Sequence, residues 1–274
     1  VPERLPRLIA TDLDGTLLRD DKTVSPRTVA ALAAAEAAGI AVIFVTGRPA
    51  RWMGVVSEHV HGHGLAICGN GAAVVDLHRG SALIQVRPLP QDNALAVVRA
   101  LRAAAPGVTF AVERTVGFHH EPAYPPLAAD PAAVVAPVEK LLAAGPDPAA
   151  QPVLKLLAYH ERLGPDEFLA LAREVAADQA QFTRSSPSAL LEISALGVSK
   201  ATTLADRCRR RGIPPSAVLA FGDMPNDLEM LAWAGTSYAM ANAHPAVLAA
   251  TDRHTASNEE DGVAVVIEEL LAGR

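Results

Sequence analysis

Cysteine is nearly absent: the 274 residues hold two, Cys68 and Cys208, each in an apolar or helical pattern and with no CxxC spacing. That scarcity argues against a disulfide framework and leads us to expect a chain kept in a reducing cytoplasm. Long apolar runs are missing as well. No window approaches the ~18 consecutive apolar residues that a membrane-spanning helix requires, and the first residues lack a basic segment leading into an apolar one. The expectation is a soluble, unexported protein with no membrane partner. Positive charge is also in short supply, since Lys and Arg together number 24 against 30 Asp and Glu, for a net charge of -6. Binding to nucleic acid or to anionic membranes draws on a basic surplus that this chain does not have. A local anion site remains open to it. Lysine is the rarer cation, 4 against 20 arginines, which we attribute with the abundant alanine to codon bias.

What is present fits a folded globular protein: half the residues are hydrophobic and a fifth are charged. The length suits one large or two modest domains with a sizeable core. Residues 8 to 13, LIATDL, read as a buried strand. SPRTVAALAAAEAAG then supplies a cap at Ser25, proline at the first helical position and a terminating Gly39, and IAVIFV follows as a second apolar strand. Strand, helix, strand at this spacing is a βαβ unit of a parallel sheet. A helix is expected over Pro49 to Val60, followed by the strands LAICGNG and AAVVDL. The pattern then changes: a helix over 89–104, paired strands in TFAVERTVGFHHE, and eight prolines from Pro122 to Pro152 that suit an irregular connector. Strand character returns in PVLKLLAYH and AQFTRSSPSALLEISA, around a helix at 165–178. From KATTLADRCRRRG onward, helix and strand alternate to the end. The expected fold class is α/β, a Rossmann-like parallel sheet core (1–82 and 191–274) interrupted by an inserted α+β domain (83–190). No internal repeat of solenoid period occurs.

Two strand ends carry acids. If the first strand persists through residue 14, Asp12 and Asp14 point to one side of the sheet, at the carboxyl end where open parallel sheets bind ligands. Two like charges so placed need a metal ion or a retained proton. A second pair stands in VLAFGDMPNDLEML, where Asp223 closes an apolar strand and Asp227 enters the next helix. Asp223 beside Asp12 would make a site of oxygen ligands, the kind Mg²⁺ prefers. Such a site would keep Asp12 ionised and able to attack. A lone Asp in either place is an ordinary turn or helix-start residue. Two strand-terminal clusters in one core are not.

DLDGTLL, VTGR, the lone lysine of GVSKATTLA, and GDMPNDLEML together resemble, in order and spacing, the four motifs of the haloacid dehalogenase superfamily of phosphatases. ICGNGA and MANAHPAVLAAT with SNEEDGVA resemble its Cof-type branch, which carries a large type IIB cap domain between the second and third motifs. The likeness covers the core; the insertion matches by position and strand-helix pattern. It implies a Mg²⁺-dependent hydrolase of small phosphorylated metabolites, sugar phosphates or similar, working through an aspartyl-phosphate. Asp12 would be the nucleophile and Asp14 the acid and base. Thr46 and Lys200 would bind phosphoryl oxygens, with Gly15, Gly47, Arg48, Asn70 and Asn226 around the phosphate or substrate. The metal ligands would be Asp12, Asp223 and the carbonyl of Asp14, with Asp227 close by. Ala201 stands where many relatives have glycine. The cap would close over the core and contribute specificity residues. A phosphotransferase or phosphomutase of the same superfamily, a phospho-accepting receiver domain and a noncatalytic binder of phosphorylated metabolites are the alternatives. Oligomeric state is left open.

Other signals carry less. His59, His61 and His63 alternate in EHVHGHG and could face a zinc ion from one strand, but the glycines favour a solvated loop. His119 and His120 lie in an expected strand, where one of the two faces outward. Arg209, Arg210 and Arg211 complement a helix end before Gly212. Trp52 and Trp233 read as packing residues, and Arg48 or Arg51 could meet an anionic substrate.

Overall fold

A computed structural model describes residues 5–58, 64–126, 131–143 and 151–273. The chain divides into two compact units, Val1–Gln85 with Ser199–Arg274, and Val86–Val198. In chain order the first unit begins with β1 (Leu8–Thr11), α1 (Pro26–Ala37), β2 (Ala41–Val45), α2 (Gly54–Ser57), β3 (Leu65–Cys68), β4 (Ala73–Asp76) and β5 (Ala82–Val86). The second holds α3 (Gln91–Ala104), β6 (Thr109–Arg114), β7 (Gly117–His120), α4 (Val138–Leu142), β8 (Val153–Tyr159), α5 (Pro165–Ala176), β9 (Gln181–Thr183) and β10 (Leu190–Ser194). The chain returns to the first unit through α6 (Lys200–Arg210), β11 (Val218–Gly222), α7 (Leu228–Trp233), β12 (Thr236–Met240), α8 (Pro245–Ala250), β13 (His254–Thr255) and α9 (Gly262–Ala272).

Among the described residues the first unit's strands form one sheet in the order β13-β12-β11-β1-β2-β3-β4-β5, parallel from β13 to β3 and antiparallel between β3 and β4. Its centre is apolar on both faces: Leu8, Ile9, Ile43, Val45 and Phe221 have no solvent exposure. Each such side chain contributes about 1.5–3 kcal/mol of burial free energy. Ile9 lies level with Val42 on one side and Leu219 on the other. α1 starts as its sequence dictates, with the Ser25 side chain accepting from the Thr28 N–H and Pro26 in the first turn. The strand order decides where a ligand can sit. From β1 the chain moves outward through β2 and β3, then returns to lay β11 on the other side of β1 and build outward again through β12 and β13. The crevice beyond the carboxyl ends of β1 and β11 is that reversal point, where open α/β sheets bind ligands.

The second unit is an antiparallel sheet in the order β7-β6-β8-β10-β9. α3 packs on α5, and α5 packs on β9 and β10; Val97 and Leu101 of α3 and Phe168 and Ala172 of α5 are buried. The buried Glu121 carboxylate ties three segments together, accepting from Phe110 N (2.9 Å), Val138 N (3.1 Å) and Arg102 Nη2 (2.5 Å). Ala111, Phe118, Tyr124 and Leu157 form a further cluster with Tyr159 and Leu190 against it.

Several expectations need correction. The helix over Pro49 to Val60 is a 3₁₀ turn at Ala50–Trp52 followed by the four residues of α2. Trp52 is 45% exposed beneath the Arg51 guanidinium, 5.4 Å from its ring centroid, so it is not a packing residue. His59, His61 and His63 lie outside the described residues. His119 and His120 are both engaged locally: His119 Nδ1 accepts from Val134 N at 3.0 Å, and the His120 ring lies against Phe118 and Tyr124. Arg209 and Arg210 do stand in the last turn of α6 with Arg211 at its cap, as expected, and they also pair with Asp206 of the same helix. Both cysteines are buried and free. No helix among the described residues is long and apolar enough to cross a membrane.

Candidate active site

β1 ends at Thr11, and its hydrogen-bonding line continues one residue further, with Asp12 N donating to Phe221 O at 3.1 Å. The chain then turns back: Gly15 has φ +76°, and the N–H groups of Thr16 and Leu18 both return to Leu13 O, at 3.2 and 2.8 Å. Strand alternation therefore stops before Asp14, and the two acids do not share partners as a continued strand would imply. Asp12 Oδ1 accepts from Lys200 Nζ at 2.7 Å. Asp14 accepts instead from Arg48, Nε to Oδ2 at 2.6 Å and Nη2 to Oδ1 at 2.7 Å, and from Lys22 Nζ at 3.0 Å on Oδ1.

The neighbouring strand supplies the next acids. Asp223 follows β11, and the 3₁₀ turn Pro225–Asp227 brings Asp227 back under it. Asp227 Oδ2 accepts from the N–H groups of Asp223 and Met224, at 3.0 and 3.1 Å, while its Oδ1 takes a second bond from Lys200 Nζ at 2.7 Å. Thr16 Oγ1 donates to Asp223 Oδ1 at 2.8 Å. Asp12, Asp223 and Asp227 each offer one carboxylate oxygen, all within 4.8 Å of one another, and all three residues are buried. Lys200 opens α6 behind the Ser199 cap and is 1% exposed.

Burial pushes the Asp12 carboxyl well above its ordinary range against the pull of Lys200, with Asp227 and Asp223 adding to the rise. Burial and Asp227 likewise push Asp223 up to about 7. Burial works against the Lys200 ammonium, yet Asp12 and Asp227 outweigh it and hold the lysine charged. Asp14 behaves differently. Burial would raise it, but Arg48 and Lys22 prevail and keep it below the usual carboxylate range. Three clustered carboxylates thus face one ammonium, an excess of negative charge that a divalent cation would cancel. The donors are all hard oxygens, and Asn226 Oδ1 nearby in the sequence is buried without a hydrogen-bond partner among the described residues. Donor chemistry and charge both fit a hard divalent ion.

The remaining expected residues fall in the loops after β2 and β3. Thr46 follows β2; its N–H donates to Ile67 O at 2.8 Å, and its Oγ1 accepts from Arg48 N at 3.0 Å across Gly47. Asn70 occupies the left-handed region at φ +54°, its N–H donating to Thr46 O at 3.0 Å. Asn226 Nδ2 donates to Asn70 Oδ1 at 3.0 Å, which joins the β3 loop to the β11 loop. Sequence reasoning gave no role to Lys22, Asn242 or Asn258, and used Thr16 only for the backbone turn it makes with Gly15. Thr16 orients Asp223, and Lys22 reaches Asp14. Asn242 Nδ2 holds Gly15 O at 2.8 Å, and Asn258 N in turn donates to Asn242 Oδ1 at 3.0 Å. The two asparagines lie in MANAHP and SNEEDG, stretches noticed for their likeness but not for this chain of contacts.

A sequence model described as haloacid dehalogenase-like hydrolase matches residues 9–267. Among curated proteins, the chain is 31% identical to 5-amino-6-(5-phospho-D-ribitylamino)uracil phosphatase YitU of Bacillus subtilis, covering 98% of this chain and 99% of the relative. It is 29% identical to pyridoxal phosphate phosphatase YbhA of Escherichia coli, covering 95% and 97%. Among solved structures, the phosphatase BT1666 of Bacteroides thetaiotaomicron shares the fold with a TM-score of 0.80 at 23% identity, over 98% of this chain and 97% of that one.

Proposed function

The chain belongs to the haloacid dehalogenase-like hydrolase family, and from that premise we propose that it is a Mg²⁺-dependent phosphatase working through an aspartyl-phosphate on Asp12. It is a phosphoric monoester hydrolase acting on small phosphorylated metabolites. The observation that carries the reading is the convergence of Asp12, Asp223 and Asp227 about the Lys200 ammonium at the sheet's reversal point.

Uncatalysed hydrolysis of a phosphate monoester is so slow that acceleration can reach about 10²¹-fold. General acid-base help supplies only about 10²–10⁴ of this. Charge neutralisation, positioning and a covalent route must supply the rest. In our reading an Asp12 carboxylate oxygen attacks phosphorus, the bond to the leaving oxygen breaks, and that oxygen takes a proton from Asp14. Lys200 and Thr46 hold the equatorial oxygens, and Asn70 and Asn226 orient the loops that meet them. Water then attacks the aspartyl-phosphate and gives its proton back to Asp14, so Asp12 and Asp14 are regenerated. Mg²⁺ would be held by Asp12, Asp223 and the Asp14 carbonyl with Asp227 near, and would supply Lewis-acid neutralisation of phosphoryl charge.

The named relatives act, by their names, on a ribitylaminouracil phosphate and on pyridoxal phosphate. We infer that this chain accepts small organic monoesters of that size, sugar phosphates included. The test is phosphate release by the purified protein with Mg²⁺ across a panel of such esters, beside the Asp12→Asn variant. The expected result is turnover by the unaltered protein and none by the variant. A folded, active Asn variant removes Asp12 as nucleophile.

A further inference from the structure

Arg48 was expected to meet phosphate or substrate, and the contacts it makes are to Asp14, through one N–H on each of Nε and Nη2 of its five donors. It forms a two-pronged pair with Asp14, at 2.6 and 2.7 Å, and Lys22 adds a third contact at 3.0 Å. An ionised carboxylate has about four lone-pair sites. Lys22 Nζ and Arg48 Nη2 occupy both sites on Oδ1, whereas Oδ2 is met by Arg48 Nε alone. One direction on one oxygen is left.

We propose that Arg48 and Lys22 are positioning residues that lock the plane of the Asp14 carboxyl so that Oδ2 alone exchanges the proton with the leaving oxygen. This rests on the reading of Asp14 as the acid and base, and it assigns the two cations to Asp14 rather than to the substrate. Both come from short local devices. The Arg48 main chain is fixed by its N–H bond to Thr46 Oγ1, and its side chain is only 16% exposed. Lys22 sits at φ +67° in a turn closed by Lys22 N to Arg19 O at 2.9 Å. A lysine in the left-handed region is strained, and that conformation carries the side chain whose ammonium reaches Asp14. Planar, two-point geometry is the property that arginine supplies and lysine does not. In the step itself Asp14 enters as the acid, its proton in the one free direction on Oδ2; the leaving oxygen keeps the electron pair of the broken P–O bond and gains that proton, and water restores it when it attacks the aspartyl-phosphate.

A positioning role makes a specific kinetic demand. A leaving group that departs easily without protonation does not need Asp14, whereas an alkoxide does. The value of kcat/KM reports steps up to leaving-group departure and is blind to later hydrolysis of the phospho-enzyme. We therefore compare kcat/KM for p-nitrophenyl phosphate and for an alkyl ester, glycerol 2-phosphate, in the unaltered protein and in Arg48→Ala, Arg48→Lys and Lys22→Ala. The alkyl ester should lose at least about 10-fold more than the aryl ester in Arg48→Ala, a fraction of the ~10²–10⁴ that acid catalysis supplies. Arg48→Lys should fall between, since it restores charge without the fork. Guanidinium ion added to Arg48→Ala should restore part of the alkyl rate. Lys22→Ala, which loses one exposed contact, should discriminate by no more than about 5-fold. Equal losses on both esters would make Arg48 a phosphate or folding residue and overturn the assignment while leaving the phosphatase reading intact. Failure of the unaltered protein to hydrolyse either ester would overturn both.

Discussion

The turn after Asp12 offers a sharp test of how the site is built, through Gly15→Ala. Two costs add there. Gly15 has φ +76°, a conformation that costs an L-residue about 1–2 kcal/mol. A Cβ at Gly15 would also lie 2.2 Å from Asp223 Oδ2 and 2.9 Å from its Cγ, where ordinary contact begins at 3.4 Å. The carboxylate must withdraw by about 1 Å, which breaks the 2.8 Å bond from Thr16 Oγ1. A hydrogen bond to a charged group contributes about 1.5–3 kcal/mol, so the two costs together amount to roughly 2.5–5 kcal/mol. A displacement of that size at a reacting centre costs about 10²-fold in rate. Gly39→Ala is the matching control, because Gly39 has φ +81° but no neighbour within 4 Å of a built Cβ. It should lose only the backbone part, about 1–2 kcal/mol, and keep its kcat/KM. Thermal unfolding followed by circular dichroism, with phosphate release on one ester, measures both. If Gly15→Ala is no slower than Gly39→Ala, the turn does not set the position of Asp223 and the argument fails.

Asp223 gives a pH prediction. Its folded value of about 7 lies above the ordinary 3.8, so in metal-free protein its stabilising contribution is whole below 3.8 and is lost as pH rises through 7. A divalent ion binds the ionised form, so 10 mM-scale Mg²⁺ against chelator should raise Tm more at about pH 8 than at about pH 5; equal shifts, or none, contradict the cation assignment. In the second unit, Glu121→Leu removes the acceptor of the Phe110 and Val138 N–H groups. Each buried donor left unpaired costs about 1–3 kcal/mol, so exchange protection across Val86–Val198 should drop, with Glu121→Gln milder because it keeps one oxygen acceptor. Unchanged protection in Glu121→Leu would show that the carboxylate does not tie these segments.

The parallel sheet was legible because a doubly buried strand has an unmistakable composition: LIAT, AVIFV and VLAFG are apolar at every or nearly every position. Asp12 and Asp223 ending two such strands made their approach an inference from topology rather than from spacing. The end of β1 was not legible, since Leu13 continues the apolar pattern and is fully buried although the strand has stopped. The stop comes from the turn at Gly15, which periodicity does not register. The helix over Pro49 to Val60 failed for a related reason. Its apolar residues keep helical spacing, but Pro49 and Gly54 break the backbone into a 3₁₀ turn and a single short turn of helix, so Trp52 faces solvent. Lys22 and Asn242 were missed because their side chains work across the fold, reaching Asp14 and the Gly15 carbonyl, and no pattern along the chain encodes such reach.

The division of charge goes further than the motif likeness does. On sequence grounds, Asp12 and Asp14 looked like one pair needing one compensation, a metal ion or a proton. The structure gives them different bonded partners. Asp14 is bonded by a guanidinium and an ammonium and has no deficit to fill, although that guanidinium also feels the Asp12 charge. Asp12, Asp223 and Asp227 share the single ammonium of Lys200 and stay two charges short of balance when all three are ionised. A divalent cation therefore has an electrostatic reason to sit among those three carboxylates and none to sit on the Asp14 side chain, so any ligand from residue 14 must be its carbonyl oxygen. In the reading proposed above, the Asp14 carboxylate, bonded to Arg48 and Lys22, would be left to handle a proton two residues from Asp12.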